Sequence, residues 1–137
     1  MKQIRLFLAL VLSSGLAAVA QAQQPDSITV SRIAMCTAVV EREPSGEASQ
    51  FPAETAKLYC FTELHGAAGE VTYAWFQGDS LRGEIKLNKR QSGRWRMWSN
   101  KTMTPDMAGA WTVEVRDASG RALKSVAFTF GEAKSEQ

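Results

Sequence analysis

The chain has 137 residues, 45% of them hydrophobic and 22% charged, with a formal net charge of +2. That length is one ordinary domain with a single modest core. Two cysteines and one distant histidine, His65, are too few for a four-ligand metal site.

The first 22 residues read as an export signal. "MKQIR" is a short basic start, "LFLALVLSSGLAAVA" is an apolar run interrupted by Ser13, Ser14 and Gly15, and Ala20 and Ala22 flank Gln21 in an A-x-A cleavage pattern. Cleavage after Ala22 is expected, leaving a single domain over 23–137. No later apolar run reaches the roughly 18 residues of a membrane span, so the mature chain is expected to carry no transmembrane segment and to reside in the periplasm. Losing Lys2 and Arg5 leaves basic and acidic side chains in balance. Export argues against a nucleic-acid partner. It also predicts a disulfide between Cys36 and Cys60, because the compartment is oxidising. That bridge would close a loop of about 25 residues and stabilise the fold by roughly 3 kcal/mol.

Beyond the signal the hydrophobic period is 2, broken by turn residues at short intervals. Residues 28–40 suit a long or broken first strand. "EREPSGEASQFP" (41–52) is a loop by composition. Within it Arg42, between Glu41 and Glu43, is expected to fold back into a structural ion pair at the end of the first strand. "AKLYCFTEL" (56–64) reads as a buried strand and "VTYAWF" (71–76) as the next. "LRGEIKLN" (81–88) places Leu81, Ile85 and Leu87 inward. After "RWRMWSNK" (94–101), "TPDMAG" is a connection with room for one helical turn. "WTVEVRD" (111–117) and "RALKSVAFTF" (121–130) close the fold. About seven short strands and no convincing helix predict an all-β fold, an antiparallel two-layer immunoglobulin-like β-sandwich.

"RWRMWSNK" carries the densest chemistry. Between 82 and 101, seven cations face Glu84 alone, a local basic face on a neutral protein. Alternation turns Trp95, Met97 and Ser99 inward and Arg94, Arg96, Trp98 and Asn100 outward. Trp95, Trp75 and Trp111 are expected in the core. Trp98 is either an exposed platform among guanidinium groups, suited to a sugar ring or a planar anion, or a cap packed on the sheet. Arg94, Arg96 and Trp98, with Lys86 or Lys101 nearby, form the candidate contact face.

Catalysis finds little support. Glu63 and His65 share a strand face, but no nucleophile or substrate-positioning group accompanies them. No G-x-S-x-G, paired-carboxylate or phosphate-loop pattern occurs, and no cofactor is expected.

Cys36, "REP" (42–44), "LYCFTEL" (58–64), Trp75–Phe76, "RWRMWSNK", "GAWTVEV" and "GRAL…FTF" together resemble an uncharacterised bacterial family, domain of unknown function 2914. The resemblance implies an exported or membrane-attached bacterial protein and brings no established activity. A histidine often stands in that family where this chain has Tyr73. The expectation is a non-enzymatic module of the cell envelope contacting a glycan or another anionic envelope component. The alternative is an accessory domain that pairs with another envelope protein through a sheet edge.

Overall fold

Alternation of buried and exposed side chains, the mark of a strand with one face on a core, runs through the computed structural model, which describes residues 27–131. The signal and cleavage site expected over 1–22 lie outside these residues. The expected first strand is broken, into β1 (Thr29–Cys36) and β2 (Ala38–Val40). The later expected strands are β5 (Lys57–Gly66), β6 (Gly69–Gln77), β7 (Ser80–Lys89), β8 (Ser92–Thr102), β9 (Gly109–Arg116) and β10 (Ala122–Phe130). A single 3-10 turn, Pro105–Met107, joins β8 to β9.

The stretch 41–52, expected as loop, instead holds β3 (Glu43–Ser45) and β4 (Gln50–Phe51). Pro44 does not prevent pairing because β3 lies in an isolated two-stranded hairpin, where proline is tolerated at an edge. Phe51 is carried into the core beside Phe128 by a short parallel pairing of β4 with β10.

The strands form a three-stranded sheet in the order β1-β5-β8 and a five-stranded sheet in the order β4-β10-β9-β6-β7, plus the β2-β3 hairpin. The two larger sheets pack face to face as a β-sandwich. Leu58, Cys60, Leu64 and Met97 from one meet Val71, Tyr73, Trp75, Trp111, Val113, Val115 and Phe128 from the other. Trp75 and Trp111 are core residues, as expected, and their indole N–H groups are satisfied. Trp75 Nε1 donates to Ser99 Oγ at 3.0 Å across the sandwich, and Trp111 Nε1 donates to the Met107 carbonyl at 2.8 Å. Tyr73 is wholly buried, 2.7 Å from Thr62 Oγ1, which itself donates to the Met97 carbonyl. Tyr73 therefore acts as the donor and pins one sheet to the other.

Three sequence expectations are corrected here. Leu81 is outward, not inward: a bulge pairs Trp75 with Gly83 but Phe76 with Leu81, and one extra residue flips a side chain to the opposite face. Lys89 is not part of a solvated basic face. It is buried, and its Nζ donates to the carbonyls of Gly66, Ala67 and Arg90 at 2.7–2.9 Å. Cys36 and Cys60 are free buried thiols, not a disulfide. The register explains this: Met35 faces Cys60 while Cys36 faces Tyr59. Directly opposed residues share a face and neighbours alternate, so the two thiols lie on opposite faces of the sheet. Cys60 belongs to the sandwich core and Cys36 to the outer side, where its Sγ lies 3.8 Å from the Tyr59 carbonyl.

Candidate functional site

The outer face of the three-stranded sheet is organised in rows across β1, β5 and β8. One row reads Arg32–Glu63–Arg96 and the next Ala34–Phe61–Trp98. Charge alternates along the first row, but its arginines bond to the β2-β3 hairpin and Glu63 bonds to Arg94. In the second, Trp98 is half-buried and lies on Phe61, with ring centroids 6.4 Å apart and planes 15° from parallel. The Arg32 guanidinium sits 5.7 Å from the Phe61 centroid. Trp98 is thus a packed cap, with one ring face already committed to Phe61.

The β2-β3 hairpin folds back onto this face. Its two turn residues, Glu41 and Arg42, both have positive φ, 51° and 62°. That is the conformation of a type I′ turn, normally built from Asn-Gly or Gly-Gly. Each non-glycine residue held there costs on the order of 1–2 kcal/mol. Glu43 offsets the strain by gripping the sheet. Its carboxylate accepts from Arg96 Nη1 at 2.5 Å and Arg32 Nη1 at 3.4 Å, and Arg94 Nη2 lies 3.5 Å away. Arg32 also pairs with Glu47. At the far end of the hairpin, Gly46 has φ of 72°, and any side chain there would collide with Thr37.

Between the hairpin tip and β8 lies a cleft of ≈ 240 Å³ lined by Arg42, Arg94, Trp95, Arg96 and Trp98. Arg94, Arg96 and Trp98 are therefore brought together as the sequence predicts, but two of the three cations are already paired. Arg94 Nε donates to Glu63 Oε1 at 2.9 Å and Arg96 donates to Glu43. Arg42 is the exception. Expected to form a structural ion pair, it makes no ion pair or hydrogen bond among the described residues, and Glu43 has that role instead. The left-handed turn explains the exchange, because it points consecutive side chains in directions no regular strand would give them. Trp95, expected in the core, is partly buried against it, and its indole N–H is buried without an acceptor among the described residues.

Lys101 and Lys86 do not join the cleft. Lys101 Nζ donates to the Arg82 carbonyl at 3.1 Å and borders a separate hollow of ≈ 180 Å³ with Arg82, Gln77 and Trp111. Lys86 is exposed on β7, in the other sheet. A larger hollow of ≈ 440 Å³, between the turns at 67–70 and 117–121, has no aromatic lining. The one carboxylate of its 117–121 turn, Asp117, is occupied by Ser119 and the Arg121 N–H.

Sequence reasoning missed Ser31. A bulge between Val30 and Arg32 aims its hydroxyl at Glu63 Oε2 (3.0 Å) and His65 Nε2 (2.9 Å), while His65 Nδ1 lies against the Gly93 carbonyl. Hydrogen bonds from Arg94 first, and then from Ser31 and His65, hold the Glu63 carboxyl below the usual carboxylate range. Ser31, Glu63 and His65 line none of the hollows described above. Their arrangement fastens β1, β5 and β8 together. Among the described residues no group of three or more His, Cys, Asp or Glu is placed to hold a metal ion, and no helix is long and apolar enough to cross a membrane.

No curated protein matches the chain. Two glycosidases are among the solved structures that resemble it weakly. A β-glucuronidase from Bifidobacterium dentium, complexed with coumarin-3-O-glucuronide, has a TM-score of 0.44 and 13% identity over 78% of this chain and 18% of that one. A β-glucosidase from Kluyveromyces marxianus has a TM-score of 0.44 and 11% identity over 77% of this chain and 14% of that one. The chain thus spans less than a fifth of either enzyme. The family described as "Protein of unknown function (DUF2914)" matches residues 69–130, from the first residue of β6 to the last of β10. That span contains Arg94, Arg96 and Trp98 but not the Arg42 hairpin. Residues 69–130 are thus similar to the DUF2914 family.

Proposed function

We propose that the protein is a non-enzymatic binding module of the bacterial cell envelope, exported by its N-terminal signal, which takes an anionic envelope partner in the cleft between the β2-β3 hairpin and β8. One observation carries this reading: Arg42 stands unpaired at the mouth of the cleft on a turn that its sequence disfavours. Backbone strain of this kind persists where surrounding structure over-determines it, and it concentrates at binding sites. The charge count agrees. Four guanidinium groups (Arg32, Arg42, Arg94 and Arg96) stand against the three carboxylates of Glu43, Glu47 and Glu63. Those three carboxylates are paired with Arg32, Arg94 and Arg96, whereas Arg42, beside Glu41 in the turn, has no ion pair among the described residues. A guanidinium is the side chain best suited to bidentate recognition of a carboxylate or phosphate.

Binding of polyglutamate, polygalacturonate and anionic vesicles by the 23–137 chain tests this. Salt-sensitive binding of at least one of them, weakened by Arg42→Gln, supports the reading. Arg42→Gln removes no hydrogen bond or ion pair among the described residues, so a variant that binds all three as well as the parent overturns it.

A further inference from the structure

The cleft is lined by four residues of a single strand, and they come from both of its faces. Arg94, Arg96 and Trp98 are outward residues of β8, whereas Trp95 pairs with Leu64 on the inward side. A hollow reached by both faces of a strand lies along its edge. β8 is such an edge: among the described strands it pairs with β5 alone. Beyond Arg94, whose own N–H and carbonyl are bonded to Ser92 Oγ, its free side offers backbone N–H and C=O groups, the template that strand addition uses.

We infer that the ligand of this cleft is an extended acidic peptide segment of a partner protein, which adds to the free edge of β8 as a fourth strand of the three-stranded sheet. This rests on the proposed function above and names the class of partner. The spacing of the arginines on β8 selects it. Arg94 and Arg96 are two residues apart on one face, about 6.6 Å along the strand, the spacing of alternate side chains on an added strand. A carboxylate of the incoming segment meets Arg42, the cleft cation without a partner among the described residues, and alternate carboxylates run beside Arg94 and Arg96, which stay bonded to Glu63 and Glu43.

A second copy of this chain is disfavoured at the same edge, because β8-to-β8 pairing would set arginines against arginines, and opposed like charges destabilise a sheet. A sugar ring stacked on Trp98 is disfavoured because Phe61 already occupies one face of the indole. The Trp95 indole N–H, buried at the cleft without an acceptor, adds an unmet donor beside the peptide path. Buried donors of this kind are rare enough to require an explanation.

The test is a blocked peptide of alternating glutamate and threonine, measured against the 23–137 chain. Two analogues carry N-methyl groups on the odd or on the even residues. An added strand directs alternate N–H groups toward its neighbour. One analogue should therefore lose binding by about tenfold or more while the other retains it, since each set of ladder hydrogen bonds is worth at least that factor. Arg42→Gln should weaken the parent peptide by about tenfold, the loss of one charge-assisted pair.

Equal binding by the two analogues, whether both retained or both lost, overturns strand addition. If polygalacturonate still binds in an Arg42-dependent way in that case, the cleft stands and only the peptide is wrong. If neither the peptide nor polygalacturonate distinguishes Arg42→Gln from the parent, both readings fall.

Discussion

Arg96 and Glu43, 53 residues apart in sequence, are joined by a 2.5 Å bond from Nη1 to Oε2 that ties the hairpin tip to the edge strand β8. Arg96 is the least exposed of the three ion-paired arginines in this network, and Glu43 serves three guanidiniums at once. Replacing Glu43 by Gln should release the hairpin more than it unfolds the sandwich. Global stability should fall by only about 1 kcal/mol, because the partners are partly solvated. Amide exchange over 38–45 should accelerate markedly while β6 and β9 stay protected. Unchanged exchange in the hairpin would show that the network does not hold it.

The turn makes an opposite prediction for stability and binding. Changing Glu41-Arg42 to Asn-Gly supplies the residues that a type I′ turn prefers and should raise stability by about 1 kcal/mol through relief of strain. The same change removes the unpaired guanidinium. Denaturant titration should therefore show a more stable protein that has lost binding to the polyanion recognised by the parent.

The two thiols offer a chemical check of register. Both cysteines are buried, and burial pushes the Cys60 thiol up, so neither is a ready nucleophile. A thiol reagent should modify neither in the folded protein and both after unfolding, with no reductant required. A single disulfide recovered from freshly folded protein would mean a register in which Cys36 and Cys60 share a face.

Acid should loosen the outer face of the three-stranded sheet. Bonds from Arg94, Ser31 and His65 lower the Glu63 pKa in the folded state. A carboxyl lowered on folding contributes stability that is full above the unfolded value, about 4.3, and is lost as pH falls through the folded value. Unfolding free energy measured from pH 6 down to pH 3 should drop less steeply in Glu63→Gln than in the parent. Parallel curves would remove Glu63 from the account.

The sandwich was legible because its signal is local. Period-2 patterning marked most of the long strands, an apolar run marked β5, and alternation placed Trp95, Met97 and Ser99 on the inward side of β8 and Trp98 on the outer side. What was hidden depended on partners distant in sequence. The bulge that turns Leu81 outward comes from pairing β7 with β6, and the opposed faces of Cys36 and Cys60 come from a register that neither strand encodes alone. The role of Arg42 was hidden for a different reason. "ERE" lacks the glycine or asparagine that announces a tight hairpin, so the residues gave no sign of a left-handed turn. Glu43, one position further on, makes the ion pair that Arg42 was expected to make.

The most direct measurement of the central claim is a map of side-chain and backbone N–H resonances of the 23–137 chain during titration with the anionic probe that it binds. Binding in the cleft predicts shifts confined to Arg42 Nε–H, the indole N–H groups of Trp95 and Trp98, and the β8 amides over 94–98. Shifts centred instead on Lys86, on Lys101 with Arg82, or spread evenly over all exposed cations would contradict it.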